Sequence, residues 1–319
     1  MLLGFLHRAL SLLTERAAVA LLALVIDAGF GDPPNYLHPV GAMGHWLHLG
    51  ERLAPATPPV ARLVWGIGWI VVGWLLGGGI GVSLPRQTIV QAALASLLLA
   101  YRGLDRAVAA VETALVAGDL VEARRLLGWH LVSRQTNDLS AAEVAGAAIE
   151  SLAENLSDSV IAPVSALLVG GLPAMLIYRF TNTADAMWGY RTERFEYLGK
   201  VAARSDDLFN WLPARLTALL IALAAQIVNR RGRQALIGAI RDARRTASPN
   251  AGWPMAAMAG ALDTVLTKRE HYTLGTGTRM ADAALIRDAR RIGRMVMFLV
   301  TGFLLGLSVM RFVKQRSTL

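Results

Sequence analysis

LVWGIGWIVVGWLLGGGIGVSL, residues 63–84, decides how this chain reads. The run holds 22 residues without a formal charge and stops at Pro85 and Arg86. At about 1.5 Å rise per residue a helix of this length covers the roughly 30 Å hydrocarbon thickness of a bilayer. Trp65 falls near its start, where an indole anchors at an interface, and Gly77-Gly78-Gly79 offers a close-packing surface to a neighbouring helix. The composition agrees: 54% of the 319 residues are hydrophobic and only 17% charged, and the mean hydropathy is +0.44. Disordered chains and nucleic-acid tails have the opposite balance.

Working outward, Leu2 to Phe30 is apolar but interrupted by Arg8, Glu15 and Arg16. It lacks the layout of a cleaved signal peptide and reads as retained, its inner half Ala17 to Ile26 being part of a span or a helix along the membrane. Ile89 to Tyr101 reads as the start of a long helix continuing through Arg102 and Arg106. Val160 to Tyr178 is uncharged but broken by Pro163, Gly170, Gly171 and Pro173, which predicts a bent or re-entrant element. Leu216 to Val228 and Met295 to Met310 complete the set. The expectation is an all-α, multi-pass membrane bundle with four to six embedded helices and polar interhelical loops, forming a single domain over residues 1–319. Cysteine is absent, which excludes disulfides, thiolate metal sites and a cysteine nucleophile.

The formal net charge of +9 is unevenly spread. Residues 102–158, an acidic helical region, carry 5 Lys+Arg and 9 Asp+Glu, a net of −4; residues 229–294, a basic loop region, carry 13 and 5, a net of +8. The tail from Arg311 adds +3. The basic block fits a cytoplasmic loop. It has only Trp253 and Tyr272 as aromatics, too few for the basic-aromatic surface of a nucleic-acid module, so no nucleic-acid partner is expected.

Polar clusters beside apolar spans mark functional candidates in a membrane protein. The first is Asp27 to Pro34 with His38-Pro39-Val40-Gly41, where Asp32-Pro33 also reads as plain turn chemistry after a helix. In the second, Glu150, Glu154 and Asp158 stack at i, i+4, i+8, with Glu143 one heptad earlier. Like charges so spaced disfavour a helix unless a cation or basic partner sits between them; a solvated acidic face is the alternative. The third, Tyr178 to Arg191, puts Tyr178, Asn182, Asp185 and Gly189 on one helical face with Arg179, Arg191 and Arg194 nearby, while Thr181 or Asn182 also suits a helix cap. The fourth joins Arg204, Asp207, Asn210 and Arg215, with Asp207 and Asn210 as oxygen ligands suited to Mg²⁺, against a structural Asp206–Arg215 pair. The fifth is the rigid loop Ser248-Pro249-Asn250-Ala251-Gly252-Trp253-Pro254, either a phosphate-binding nest or an interhelical turn. No P-loop, H-E-x-x-H or G-x-S-x-G motif occurs.

Taken in order, these clusters resemble the adenosylcobinamide-phosphate synthase family of cobalamin biosynthesis, the CobD/CbiB family, over nearly the whole chain. The resemblance rests on Gly31-Asp32-Pro33 with His38-Pro39-Val40; Arg134 with Thr136; and Glu150, Ala153-Glu154-Asn155 and Asp158 before Ala162-Pro163. It continues in Asn182-Thr183 with Asp185, Met187 and Gly189-Tyr190; Ala203-Arg204 with Asp206-Asp207, Asn210 and Pro213-Ala214-Arg215; and Ser248-Pro249-Asn250 with Ala259-Gly260-Ala261-Leu262. The family often has Asp at Gln135, Gly at Ser159 and, in some members, Glu at Met255. No catalytic duty is carried onto those three positions.

The resemblance implies an ATP-dependent acid-amine ligase of the bacterial inner membrane with a cytoplasm-facing site. It would join a propionate carboxylate of adenosylcobyric acid to aminopropanol phosphate or a related amino-alcohol phosphate, with Mg²⁺ as cofactor. Catalytic duty is then expected of Glu150, Glu154, Asp158, Asp185 and Asp207, with Glu154, Asp158, Asp185 and Asp207 as metal ligands. Asp32, His38, Arg134, Asn155, Asn182, Arg191, Arg204, Asn210, Arg215, Ser248 and Asn250 would bind substrate or ATP. Membrane lipid, a second copy or other enzymes of the pathway are the expected partners. A transporter, or a non-catalytic membrane scaffold or sensor, is the alternative. A single straight span over Val160 to Tyr178 would put the Glu154 and Asp185 clusters on opposite sides of the membrane, so one active site requires that this segment bend.

Overall fold

A computed structural model describes residues 2–31 and 38–316, the side chains of 2–8 and 311–316 excepted; Asp32 lies outside the described residues. The chain is helical almost throughout, and five of its helical runs are long and apolar enough to cross a membrane: Ala9–Phe30, Pro59–Ser83, Ala141–Trp188, Trp211–Asn229 and Ala283–Met310. It divides into two compact units, Met1–Ala100 with Ala162–Phe209 and Thr301–Leu319, and Tyr101–Ile161 with Asn210–Val300.

The first unit contains α1 (Leu2–Phe30), α2 (Pro39–Leu53), α3 (Pro59–Ser83) and α4 (Thr88–Ser96). The helix expected to run on from Ile89 through Arg106 is broken before Tyr101, where a new helix starts. α4 ends at Ser96, whose hydroxyl turns back onto the Ala93 carbonyl at 2.8 Å, and Leu98 and Leu99 are buried in the turn that follows. No Gly or Pro marks this break; burial of the two leucines makes it. Trp65 also has a role within the protein. Its indole donates to the Gly50 carbonyl at 2.9 Å, and Trp46, Trp69 and Trp65 stack with centroids 4.4 and 5.4 Å apart, which clamps α2 to α3.

α8 (Ala162–Trp188) packs along α3. A Cβ at Gly77 would touch Leu176 at 3.7 Å and one at Gly78 would touch Ile177 at 3.4 Å, whereas Gly79 faces open space. The tighter approach is Gly81, where a Cβ would stand 2.6 Å from the Pro173 backbone. The expected bend is present: α8 is interrupted at Gly171, at φ 72° and ψ −165°, a conformation open in practice only to glycine. Pro173 follows, and its missing N–H deprives the Val169 carbonyl, four residues back, of its helical donor. Arg16 of α1 supplies the substitute, donating through Nη1 to Val169 at 2.5 Å and Leu168 at 3.2 Å. The arginine that interrupts the first apolar stretch thus satisfies backbone freed by the break in α8, as backbone within a membrane span requires. α9 (Lys200–Phe209) completes the polar end of this unit.

The second unit holds α5 (Tyr101–Val116), α6 (Leu120–His130) and α7 (Ala141–Leu156), the last opened by a capping box of Ser140 and Glu143. A π turn, Ser157–Ile161, joins α7 to α8. α10 (Trp211–Asn229), α11 (Gly232–Asp242) and α12 (Gly252–Leu262) pack on one another. An antiparallel hairpin that the sequence gives little sign of, β1 (Leu266–Lys268) and β2 (Tyr272–Leu274), precedes α13 (Ala283–Arg316).

The split between acidic and basic segments is in large part internal pairing of this unit. Arg290 holds Asp105 at 2.8 Å and Glu112 at 2.8 Å, Arg287 holds Glu112 at 2.9 Å, and Arg269 reaches Asp138 at 3.0 Å as well as Glu143. Within the basic region Asp242 is fully buried between Arg241 (2.6 Å) and Arg245 (3.1 Å) and accepts from the Gly275 N–H at 2.8 Å. The Arg241 guanidinium above all, then the Gly275 amide and Arg245, holds the Asp242 carboxyl below the usual carboxylate range. That stabilisation is present above the unfolded pKa of about 3.9 and is lost as pH falls through the lower folded value. Asp242→Asn is therefore expected to cost about 2 kcal/mol at pH 7, with the deficit shrinking on acidification below about pH 4. Denaturant midpoints across that range check it.

Candidate functional site

Among the described residues most of the polar side chains singled out in the sequence gather in three places, each within one unit. In the second unit Glu150, on the inner face of α7, is 5% exposed, and its Oε1 has no hydrogen-bond donor. Arg134, Glu154, Lys268 and the Tyr272 hydroxyl surround it. Burial first, then the Glu150 and Glu154 charges, pushes the Tyr272 hydroxyl up, so it stays protonated beside Glu150 and donates towards Met255 Sδ at 3.8 Å. Glu150 and Glu154 share a face as their spacing implies, but Asp158 sits inside the π turn. A π turn takes more residues per revolution, so the regular i, i+4, i+8 stack stops after two carboxylates. Glu143 leaves the stack altogether, since Ser140 and Arg269 occupy it. Asn155 faces along its own helix, donating to the Ser151 carbonyl at 2.9 Å and accepting from Ser159 at 3.4 Å.

The second place, in the first unit, is a cavity of about 220 Å³ lined by Gly189, Tyr190, Arg191, Glu196, Lys200, Arg204 and Asp207. Asp207 is partly covered, with Arg204 4.0 Å away. Burial pushes the Asp207 carboxyl up while Arg204 and then Arg191 pull it down, and burial prevails. A carboxylate more basic than usual therefore stands among cations, fit to take a proton beside a bound anion. Asn182 of α8 donates to the buried Asp206 at 3.3 Å and accepts from Arg179 at 3.4 Å. Asp185 lies over Gly189, where a Cβ would come within 2.1 Å of its Oδ1, so only glycine leaves that carboxylate in place. Arg194, expected to lend positive charge here, is paired with Glu51.

The third place joins two sequence clusters that reading along the chain keeps apart. Arg215 of α10 lies between the rings of Trp211 and Trp253, 4.4 and 4.8 Å from their centroids, and donates to Asn250 Oδ1 at 3.2 Å. Ser248 Oγ accepts from the Asn250 and Ala251 amides, both at 3.2 Å, so part of the expected phosphate nest is closed by its own serine. Asn210 is 1% exposed just before α10. His38 caps α2, its Nδ1 accepting from the Val40 amide at 3.2 Å.

Glu150, Glu154 and Asp158 thus belong to the second unit and Asp185 and Asp207 to the first. Among the described residues no three acidic or histidine side chains stand close enough to hold a metal by themselves. Mg²⁺ ordinarily binds through one or two carboxylates plus substrate phosphates and water, so Glu154 or Asp207 fits such a role only with substrate present. Sequence reasoning missed Lys268, Tyr272, Glu196 and Lys200. Lys268 and Tyr272 reach Glu150 through a hairpin without alternating hydrophobicity, and Glu196 and Lys200 sit in an unremarkable polar stretch.

The "CobD/Cbib protein" family matches residues 20–298. The chain is similar to the "Cobalamin biosynthesis protein CobD" of Dehalococcoides mccartyi, 41% identical over 83% of this chain and 88% of that one. It is also similar to the protein of the same name in Geobacter metallireducens, 40% identical over 88% and 93%, and to the "Cobalamin biosynthesis protein CbiB" of Salmonella choleraesuis, 37% identical over 85% and 86%. No solved structure matches. With a family match across most of its length and relatives near 40% identity covering both units, this chain is a member of the CobD/CbiB family.

Proposed function

We propose that this membrane protein is the cobalamin-pathway enzyme that forms an amide between a propionate carboxylate of adenosylcobyric acid and an amino-alcohol phosphate, driven by ATP. The role in cobalamin biosynthesis rests on the family and its relatives. The observation that carries the chemistry is the small cavity in which a partly buried, unusually basic Asp207 stands among Arg191, Lys200 and Arg204. Its volume takes a phosphate-sized group, and its cations match the phosphate of either ATP or the amine substrate.

In this reading the substrate carboxylate attacks the γ-phosphorus of ATP and ADP leaves. The amine nitrogen then attacks the acyl carbon, the bond to phosphate breaks, and inorganic phosphate departs with the electron pair. The ammonium proton passes to a carboxylate, Asp207 in the first unit or Glu154 in the second, and the arginines of that same unit, Arg191 and Arg204 or Arg134, hold phosphate oxygens. Asn182 positions Asp206, and Asn155, Asn210 and Asn250 orient bound groups. Mg²⁺ would neutralise phosphate charge when bound. The protein lies in the inner membrane of a bacterium with this face to the cytoplasm, where ATP is.

One observation favours a second reading: α8 is discontinuous at Gly171, as helices are at the substrate sites of secondary transporters. ATP consumption separates the two. Detergent-purified protein is expected to hydrolyse Mg-ATP only when adenosylcobyric acid and aminopropanol phosphate are both present. Uptake of corrinoid into vesicles without ATP use would favour the transporter.

A further inference from the structure

We propose that the first unit carries a binding site for an anionic phospholipid, independent of the amide-forming chemistry. Two cavities adjoin there, with Leu84 and Leu172 in the walls of both. One, of about 370 Å³, has a mixed lining that includes Glu15 and Arg16 of α1, Arg86 beyond the end of α3 and Gln91 of α4. The other, of about 380 Å³, is almost wholly apolar and is lined by Met43, Trp46, Leu76, Ile80, Leu94 and Leu176.

The position of the mixed cavity sets its depth. α3 leaves its apolar span at Ser83, and the chain turns through Pro85 to Arg86, so the cavity lies at the level where lipid phosphates lie. The apolar groove runs along α3 and α8, with Leu76 and Ile80 about half exposed on the membrane span, and so opens towards hydrocarbon. A cationic pocket at headgroup depth continuous with an apolar groove at acyl depth matches an amphiphile, not a free ion.

Charge selects the lipid. Arg16 spends one nitrogen, Nη1, on the Leu168 and Val169 carbonyls, and its Nε lies 3.5 Å from the Cβ position of Gly171, at the cavity wall. Arg86 makes no ion pair or side-chain hydrogen bond among the described residues. With Glu15 the ionisable lining sums to one positive charge, the complement of a single phosphodiester, and Glu15 and Gln91 can accept from hydroxyls of a glycerol headgroup. A zwitterionic headgroup would bring a second cation towards Arg86, which this lining does not balance.

The test uses the full chain, delipidated in detergent, and measures binding by native mass spectrometry with phosphatidylglycerol, phosphatidylcholine and inorganic phosphate as separate probes. Phosphatidylglycerol is expected to bind about fivefold or more tighter than phosphatidylcholine. Arg86→Gln, an exposed substitution, should abolish that preference, and Ala42→Trp, which fills the exposed mouth of the groove, should weaken both lipids. Inorganic phosphate should not compete. Equal binding of the two lipids, or an undiminished preference in Arg86→Gln, would overturn the proposal. So would inorganic phosphate displacing phosphatidylglycerol, which would reduce the site to a simple anion pocket.

Discussion

Glu154→Gln and Asp207→Asn are each expected to lower kcat by about 100-fold or more while the protein still inserts and keeps its thermal midpoint. Both replacements conserve shape and remove only the charge and the proton-accepting oxygen. Asp207 makes the sharper case, because burial raises its carboxyl above the ordinary range against the pull of Arg204 and Arg191. If it accepts the ammonium proton, the acid limb of the wild-type kcat profile lies above the usual carboxylate pKa and disappears in Asp207→Asn. Because both replacements are isosteric, stability should move far less than turnover. Near-normal kcat in both variants would reduce these clusters to scaffolding.

Arg16→Ala is expected to be the most damaging substitution in the membrane-embedded part. It leaves the Val169 carbonyl, already deprived of a donor by Pro173, and the Leu168 carbonyl without the guanidinium that serves them. A carbonyl orphaned within a membrane span costs about 1–3 kcal/mol. The loss should also reach activity, because the half of α8 beyond the break carries Asn182 and Asp185. Arg16→Lys, which retains a long donor, should recover part of the stability. Thermal unfolding in detergent measures the first effect and turnover the second; an unchanged midpoint in Arg16→Ala would show that the break in α8 supports itself.

The spans were legible because a run such as residues 63–84 has no soluble interpretation, and the bend in α8 because Gly171 and Pro173 are backbone signals that act locally. The end of α4 was not legible. Nothing between Ser96 and Tyr101 disfavours helix, and only the burial of Leu98 and Leu99 stops it. The carboxylate stack was half legible: α7 has the periodicity its sequence implies, but a π turn has no compositional mark and carries Asp158 off the register. Charge was the least transparent. Counting by segment found the acidic and basic regions, yet Arg269, Arg287 and Arg290 serve Asp105, Glu112, Asp138 and Glu143 across more than a hundred residues of sequence. Arg215 was legible as a functional type, but its place between Trp211 and Trp253 depends on a tertiary contact. Gly189 is the converse: its spacing from Asp185 was visible, and the structure supplies the reason, a carboxylate lying where a side chain would be.

Amide formation at the expense of ATP, the proposed reaction, can be measured directly. Purified protein, under reducing conditions with Mg-ATP, adenosylcobyric acid and aminopropanol phosphate, should yield the corrinoid amide by mass spectrometry with one ADP and one phosphate for each amide formed. The product should vanish when any one substrate is omitted. Intact substrates after prolonged incubation with folded, detergent-solubilised protein would contradict the account.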